Sequence, residues 1–459
     1  MPLPIPSPLR AALALIGSAL LLAACSSVPP SSGGTGPQPE AGTAPPAPPP
    51  PQIAVLLPQK GRYAQAGQAV RTGILAAQGA SAQGTPTPKL RFYDTQNPAA
   101  VPDLLRQAAT EGANLAIGPL EKEAVDALAL QPALPIPTLA LNRAIGGGTP
   151  PNLYQYALDP EDEAADAARK AWGQAYRSAI LLYPANPWGE RLAEGYRREW
   201  LSRGGHLVAT HAFDPDHADL PPGLLEDAFA GSVHGAPADC VLLVATTTQA
   251  RQLWPGLLAN AKGVPPVFAT SHVYEGAQDP EANQALIGLQ FVDIPWMIDN
   301  DPADPLSRHQ LQRTSGGLDP RLSRLYAMGM DAYALSLSLT GLSGRPGAYL
   351  EGRTGRLSLD PQRRVQRELI LARMDSLGPT RLGQTGARKA GPSPALPPSP
   401  PATAPAPASG PAAMPRASAP TSPAVVTPTT SGVPGLAPAS PATSPPTASG
   451  DPRLAPARL

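Results

Sequence analysis

Residues 152–172 divide this chain into two similar halves, and they limit its possible folds more than any other stretch. The first few alternate: Leu153, Gln155 and Ala157 fall on one side of a strand, and Tyr154, Tyr156 and Leu158 on the other. At Asp159 the pattern becomes helical. Asp159 is a good N-cap, Pro160 suits the first helical position, and Glu161, Asp162 and Glu163 place negative charge where the helix dipole favours it. Ala164, Ala165, Ala167, Ala168 and Ala171 carry the helix on. A strand-then-helix pattern precedes this stretch and begins afresh after it. The stretch therefore reads as a crossing between two α/β lobes.

In the first half, residues 52–58 (QIAVLLP) form an apolar run of the kind buried in a parallel sheet. Residues 68–78 place Ala69, Val70, Gly73, Ile74 and Ala77 on one helical stripe. Strands at 90–94, 115–118 and 137–142 alternate with helices at 102–111 and 121–130. In the second half, strands at 178–183, 206–213 and 240–245 alternate with helices at 190–202, 223–230 and 248–260. Residues 267–270 read as a strand returning to the first lobe, 288–294 as a further strand and 321–339 as a long helix. A hairpin turns at Asp360-Pro361, between LSL from Leu357 and VQREL from Val365. The expected fold is α/β with two doubly wound lobes, at about 52–155 and 156–265, and with the remainder to 385 exchanged between them.

The two ends differ in kind from the middle. Pro makes up 10 of the 26 residues in 26–51 and 20 of the 69 in 391–459, which leaves too little apolar surface to offset chain entropy. Both the linker (26–51) and the Pro/Ala/Ser-rich tail (386–459) are expected to be disordered or polyproline-like. Residues 1–25 read as an export signal, with Arg10, an apolar run of 14 from Ala11 to Ala24, and then Cys25. Fourteen residues are short of the roughly 20 a membrane helix needs. Leu22-Ala23-Ala24-Cys25 resembles a bacterial lipobox, which implies cleavage before Cys25 and lipidation of its sulfur; Ser26 resembles the outer-membrane sorting rule. Cys240, in the apolar run DCVLLVAT, should be a buried thiol without a partner. The 35 basic and 35 acidic residues cancel, which argues against nucleic acid as a partner and against adhesion to anionic lipid by charge.

Two lobes that exchange the chain more than once resemble type I periplasmic binding proteins. The segments IAVLLPQKGRYAQAGQAVRTG, RFYDT, IGPLEKEAVDAL, LALNR, YQYALDPEDEA and PWGERLAEGYRREW together resemble the LppC family, the LpoA-like penicillin-binding protein activator lipoproteins, over roughly residues 52–375. Leu141-Asn142-Arg143, the 154–164 run and Pro187-Trp188-Gly189-Glu190-Arg191 stand in the family's order and spacing. Longer members of the family carry a further N-terminal domain of helical repeats, and here a 26-residue linker stands in its place. The resemblance implies a lipoprotein on the periplasmic face of the outer membrane that activates a class A penicillin-binding protein, with no cofactor. A lipid-anchored receptor for a small molecule is the alternative.

In a doubly wound lobe, ligands bind at the carboxyl ends of the strands. The residues there are Gln59, Arg62 and Tyr63; Asp94 and Thr95; Pro119, Leu120 and Glu121; Asn142 and Arg143; and, across the cleft, Trp188, Gly189 and Glu190. They could form a pocket, or they could hold the lobes together and cap helices. Trp188 could likewise be an exposed recognition aromatic in a loop, or pack on its own lobe with Glu190 serving the helix N-terminus. Type I amino-acid binders hold the ligand carboxylate with hydroxyls after the third strand, and Gly118-Pro119-Leu120-Glu121 offers none. His211, Asp214, Asp216 and His217 lie close in sequence, but no Gly supplies the turn of a calcium loop, so no metal is expected. The chain has no P-loop, GxSxG or HExxH motif, and an enzyme is not expected.

Overall fold

The computed structural model describes residues 51–382, apart from 82–86, 147, 232–236, 260–264, 277–279, 300, 344 and 346. The export signal with Cys25, the linker up to residue 50 and the C-terminal tail lie outside the described residues. The first lobe contains β1 (Gln52–Leu57), α1 (Ala64–Ser81), β2 (Lys89–Asp94), α2 (Val101–Thr110), β3 (Ala113–Ile117), α3 (Lys122–Ala129), β4 (Thr138–Ala140) and β5 (Leu153–Gln155). Its strands form one parallel sheet in the order β2-β1-β3-β4-β5, with Val55 level with Phe92 on one side and Ile117 on the other. The side chains of β1 alternate between two cores. Ile53, Val55 and Leu57 join Val70 and Ile74 of α1, while Ala54 and Leu56 join Leu105 of α2 and Val125 of α3. A strand covered on both faces reads as an unbroken apolar run, which is why this one was legible.

The second lobe begins with α4 (Pro160–Gly173), followed by β6 (Ser178–Pro184), α5 (Pro187–Ser202), β7 (His206–Phe213), α6 (Leu224–Ala230), β8 (Cys240–Leu243), α7 (Thr247–Leu258), β9 (Val267–Ala269), α8 (Pro280–Gln284), β10 (Gln290–Asp293), α9 (Pro295–Ile298) and α10 (Arg308–Thr314). The chain then leaves this lobe. α11 (Ser323–Leu342) packs on α1, and β11 (Leu350–Glu351), β12 (Arg356–Leu359) and β13 (Val365–Glu368) make a small antiparallel sheet. β14 (Ile370–Asp375) and β15 (Gly378–Arg381) return to the second sheet. That sheet runs β15-β14-β10-β9-β8-β6-β7, and β14 and β15 are its antiparallel additions. Where α1 and α11 meet, backbone touches backbone: a β-carbon on Gly329 would lie 2.1 Å from the Val70 carbonyl oxygen, and one on Gly73 2.0 Å from that of Tyr326. Among the described residues no helix is long and apolar enough to cross a membrane.

Several expectations are corrected. Residues 267–270 do not return to the first lobe, because β9 pairs in parallel with β8 and β10 inside the second sheet; the return is made by α11 instead. α1 begins at Ala64 rather than at 68, and α5 at Pro187 rather than at 190. The Asn186 side chain caps α5 by accepting from Gly189 N at 2.8 Å. Asp159 does precede α4, but its side chain makes no capping hydrogen bond, having been drawn to Arg143. Cys240 is buried and free, and burial pushes its thiol pKa far up, so no reactive thiolate forms there. The hairpin at Asp360-Pro361 is present as β12 and β13.

Candidate functional site

The loops after β1, β2 and β3 meet around a recess of about 300 Å³, whose lining includes Lys60, Arg62, Tyr63, Gln96, Glu121 and Glu123. Asp94 joins the first two loops, accepting from Gln59 N at 2.9 Å and Gln96 N at 3.2 Å. Thr95 joins the second loop to the third, its buried hydroxyl donating to Glu121 Oε2 at 2.8 Å. Engaged in this way, the hydroxyl acts as a strut rather than an exposed nucleophile. Burial pushes the Glu121 carboxyl up from the usual range, and the Thr95 hydrogen bond partly opposes the shift. At the rim, the Arg62 guanidinium lies 4.4 Å over the Tyr63 ring and 3.5 Å from Glu123. The recess carries both signs of charge, so it suits a small polar group or a partner's side chain rather than a strongly charged ligand.

The structure separates the residues expected at this site. Arg62, Tyr63 and Glu121 line the recess, Gln59 and Asp94 brace it, and Pro119 is buried beside Glu121. Asn142 is a second strut, donating to Leu120 O at 3.1 Å and accepting from Arg143 N at 2.9 Å. Arg143 turns towards the start of α4, where Asp159 lies at 3.0 Å and Asp162 at 2.5 Å. On the second lobe Trp188 stands in the first turn of α5, half-buried and edge-on to His272 at 5.0 Å, while Glu190 beside it is exposed. Neither lines the recess. Burial lowers the His272 pKa, and its Nδ1 is 3.1 Å from the Thr270 hydroxyl. Among the described residues no group of His, Cys, Asp or Glu is arranged to hold a metal ion; His217 and Asp214 are both exposed and 3.9 Å apart.

Sequence reasoning missed a set of buried charges where the three chain passages between the lobes meet. Glu163 of α4 accepts from the Ser271 hydroxyl at 2.6 Å and faces Arg367 of β13 at 3.7 Å. Asp166, one turn on, accepts from Leu369 N at 2.9 Å. Arg324 of α11 donates to Asp293 of β10 at 2.7 Å and to the carbonyl oxygens of Ser271 and Tyr274 at 3.2 Å each. Burial pushes the Asp293 carboxyl up to about 6, against the pull of Arg324. Asp331 of α11 accepts from Arg353 N at 2.6 Å, Thr354 N at 2.7 Å and the Thr354 hydroxyl at 2.6 Å. The hint in the sequence was placement: Glu163 shares a helical stripe with Ala167 and Ala171, where an apolar residue would be usual. Buried ion pairs add little net stability, but removing one partner is costly, so they fix how the segments sit together.

The LppC lipoprotein family profile matches residues 47–376. The penicillin-binding protein activator LpoA of Edwardsiella ictaluri is 34% identical over 319 residues, 62% of this chain and 46% of that protein. LpoA of Serratia proteamaculans is 32% identical over 314 residues, 61% of this chain and 45% of its own length. The chain thus spans about half the length of these curated relatives. Among solved structures, the LpoA (YraM) C-domain from Haemophilus influenzae, a regulator of PBP1A, superposes with a TM-score of 0.60 at 26% identity, over 72% of this chain and 100% of that one. A branched-chain amino acid ABC transporter protein from Chromobacterium violaceum superposes with a TM-score of 0.57 at 31% identity, over 71% of this chain and 100% of that one.

Proposed function

Because the chain belongs to the LppC lipoprotein family, matched over residues 47–376, we propose that it is an outer-membrane lipoprotein whose two-lobed domain activates a class A penicillin-binding protein and so regulates peptidoglycan synthesis. The observation that carries this reading is the likeness to the H. influenzae LpoA C-domain, itself a regulator of PBP1A, over that domain's full length. Relatives that are activators support regulation by contact rather than catalysis. The buried charges around Glu163 and Arg324 are compatible with it, since they pair with one another across the lobe-crossing segments and hold those segments in place. Lipidation of Cys25 would anchor the chain, and 26 linker residues at about 3.1 Å each would reach roughly 80 Å towards the cell-wall layer.

The test is a pull-down of the purified chain with each class A penicillin-binding protein, followed by glycan polymerisation and cross-linking assays with and without it. Binding to one synthase with a clear rise in its rate is expected; neither effect with any synthase would overturn the proposal. In cells, Cys25→Ser should leave the domain folded but abolish activation. Halving the linker should weaken activation in cells without changing binding by the purified chain. The receptor reading is favoured by one observation, the likeness to the C. violaceum protein. Thermal-shift screening with amino acids, short peptides and muropeptides separates the two, because a ligand at 100 times its dissociation constant adds about 2.7 kcal/mol.

A further inference from the structure

A second recess, of about 490 Å³, lies between the loop after β4 and the turn that joins β12 to β13. Three arginines, Arg143, Arg363 and Arg364, line it, and no carboxylate does. The turn breaks a local rule. Arg363 N donates to Asp360 O at 3.0 Å and Asp360 N to Arg364 O at 3.0 Å, a type I turn followed by a bulge whose key residue is left-handed. That residue is Arg363, with φ of 59°, where glycine is the ordinary occupant. Such a conformation persists only where its surroundings over-determine it, and such places cluster at functional sites. Here the Arg363 carbonyl accepts from Gln155 N at 3.0 Å, and Arg364 N donates to Asp360 Oδ1 at 2.8 Å.

The arginines are not equivalent. Asp159 and Asp162 occupy Arg143, whereas no described carboxylate pairs with the half-buried side chains of Arg363 and Arg364. Asp159, Asp162 and Asp360 offset the three positive charges over the wider neighbourhood, so long-range attraction is weak. What the recess offers is short-range: two guanidinium forks shaped for a planar or tetrahedral oxyanion. We propose that this recess binds a small ligand through a carboxylate or phosphate group, received by Arg363 and Arg364 beside the fixed Arg143. The backbone strain at residue 363 is then the cost of placing a guanidinium where glycine would fold more easily. The site does not depend on the activator reading.

The experiment measures uptake of inorganic phosphate and of citrate by the purified full chain, by calorimetry at constant ionic strength with chloride as the reference. Uptake of one equivalent of at least one of them is expected. Phosphate alone would point to a phosphate-bearing ligand, and citrate alone to a carboxylate. Arg363→Gly combined with Arg364→Gln should weaken uptake at least about tenfold, the scale of losing a charge-assisted hydrogen-bonded pair. Because glycine suits the backbone at 363, Arg363→Gly alone should melt no lower than the wild type, which separates lost binding from lost folding. Wild-type affinity in the double variant would overturn the proposal. So would no uptake of either anion up to roughly 10 mM, ten times a millimolar dissociation constant.

Discussion

Replacing Glu163 tests whether buried charge fixes the lobe crossing. Its side chain is 5% exposed and that of Arg367 is 3% exposed, with the two charges 3.7 Å apart. Glu163→Ala takes the acceptor from the Ser271 hydroxyl, worth about 1 kcal/mol, and leaves a buried guanidinium without its countercharge. Breaking a buried pair costs about 3–5 kcal/mol. Since 3.7 Å is too long for a direct hydrogen bond, the low end applies, about 3 kcal/mol in all. Glu163→Gln keeps an acceptor for Ser271 and should cost about 1 kcal/mol less. Pairing Glu163→Leu with Arg367→Met removes both charges and should bring stability back to within about 1 kcal/mol of the wild type, or above it. Urea unfolding followed by tryptophan fluorescence measures these three variants, together with Glu163→Leu and Arg367→Met alone. A cost below about 1 kcal/mol for Glu163→Ala, or a double variant as unstable as the sum of its single changes, would refute the reasoning.

Three further outcomes are expected. Asp159→Ala should cost about 1 kcal/mol through its ion pair, and nothing more once Arg143 is already Met; a cost that persists in the Arg143→Met background would restore the capping role. The Asp293 carboxyl has a folded pKa of about 6, above its unfolded value of about 4. Its contribution to stability is therefore complete below about pH 4 and lost as pH rises through about 6, so Asp293→Asn should flatten the pH dependence of the urea midpoint across that window. An unchanged slope would count against it. Gly329→Ala drives a β-carbon into the Val70 carbonyl and should cost about 1–3 kcal/mol, whereas an unchanged midpoint would mean that α1 and α11 slide apart freely.

Part of the site was legible in the sequence. Residues at the carboxyl ends of strands converge in any doubly wound sheet, which is how Arg62, Tyr63 and Glu121 came to be grouped. Which of those side chains would turn into the recess and which would brace it was not legible. Asn142 and Thr95 are struts because acceptors on the neighbouring loop stand within hydrogen-bond reach, and loop positions are set by strand order rather than by the residues in the loop.

The sequence by itself determined the alternation of strands and helices, the crossing near residue 159, the hairpin at Asp360-Pro361 and the family. Each of these depends on neighbours within a turn or two, or on a motif read in order along the chain. Tertiary structure decided the rest. β9 belongs to the second sheet because its hydrogen-bonding partners are β8 and β10, which no pattern within its three residues could specify. Glu163 looks like an ordinary acidic residue in a helix's first turn until β13, some 200 residues further on, brings Arg367 against it. Asp159 has the right identity for a cap, yet its carboxylate goes to Arg143. Local propensity offers a side chain its options, and the groups that folding brings within about 3–4 Å select among them.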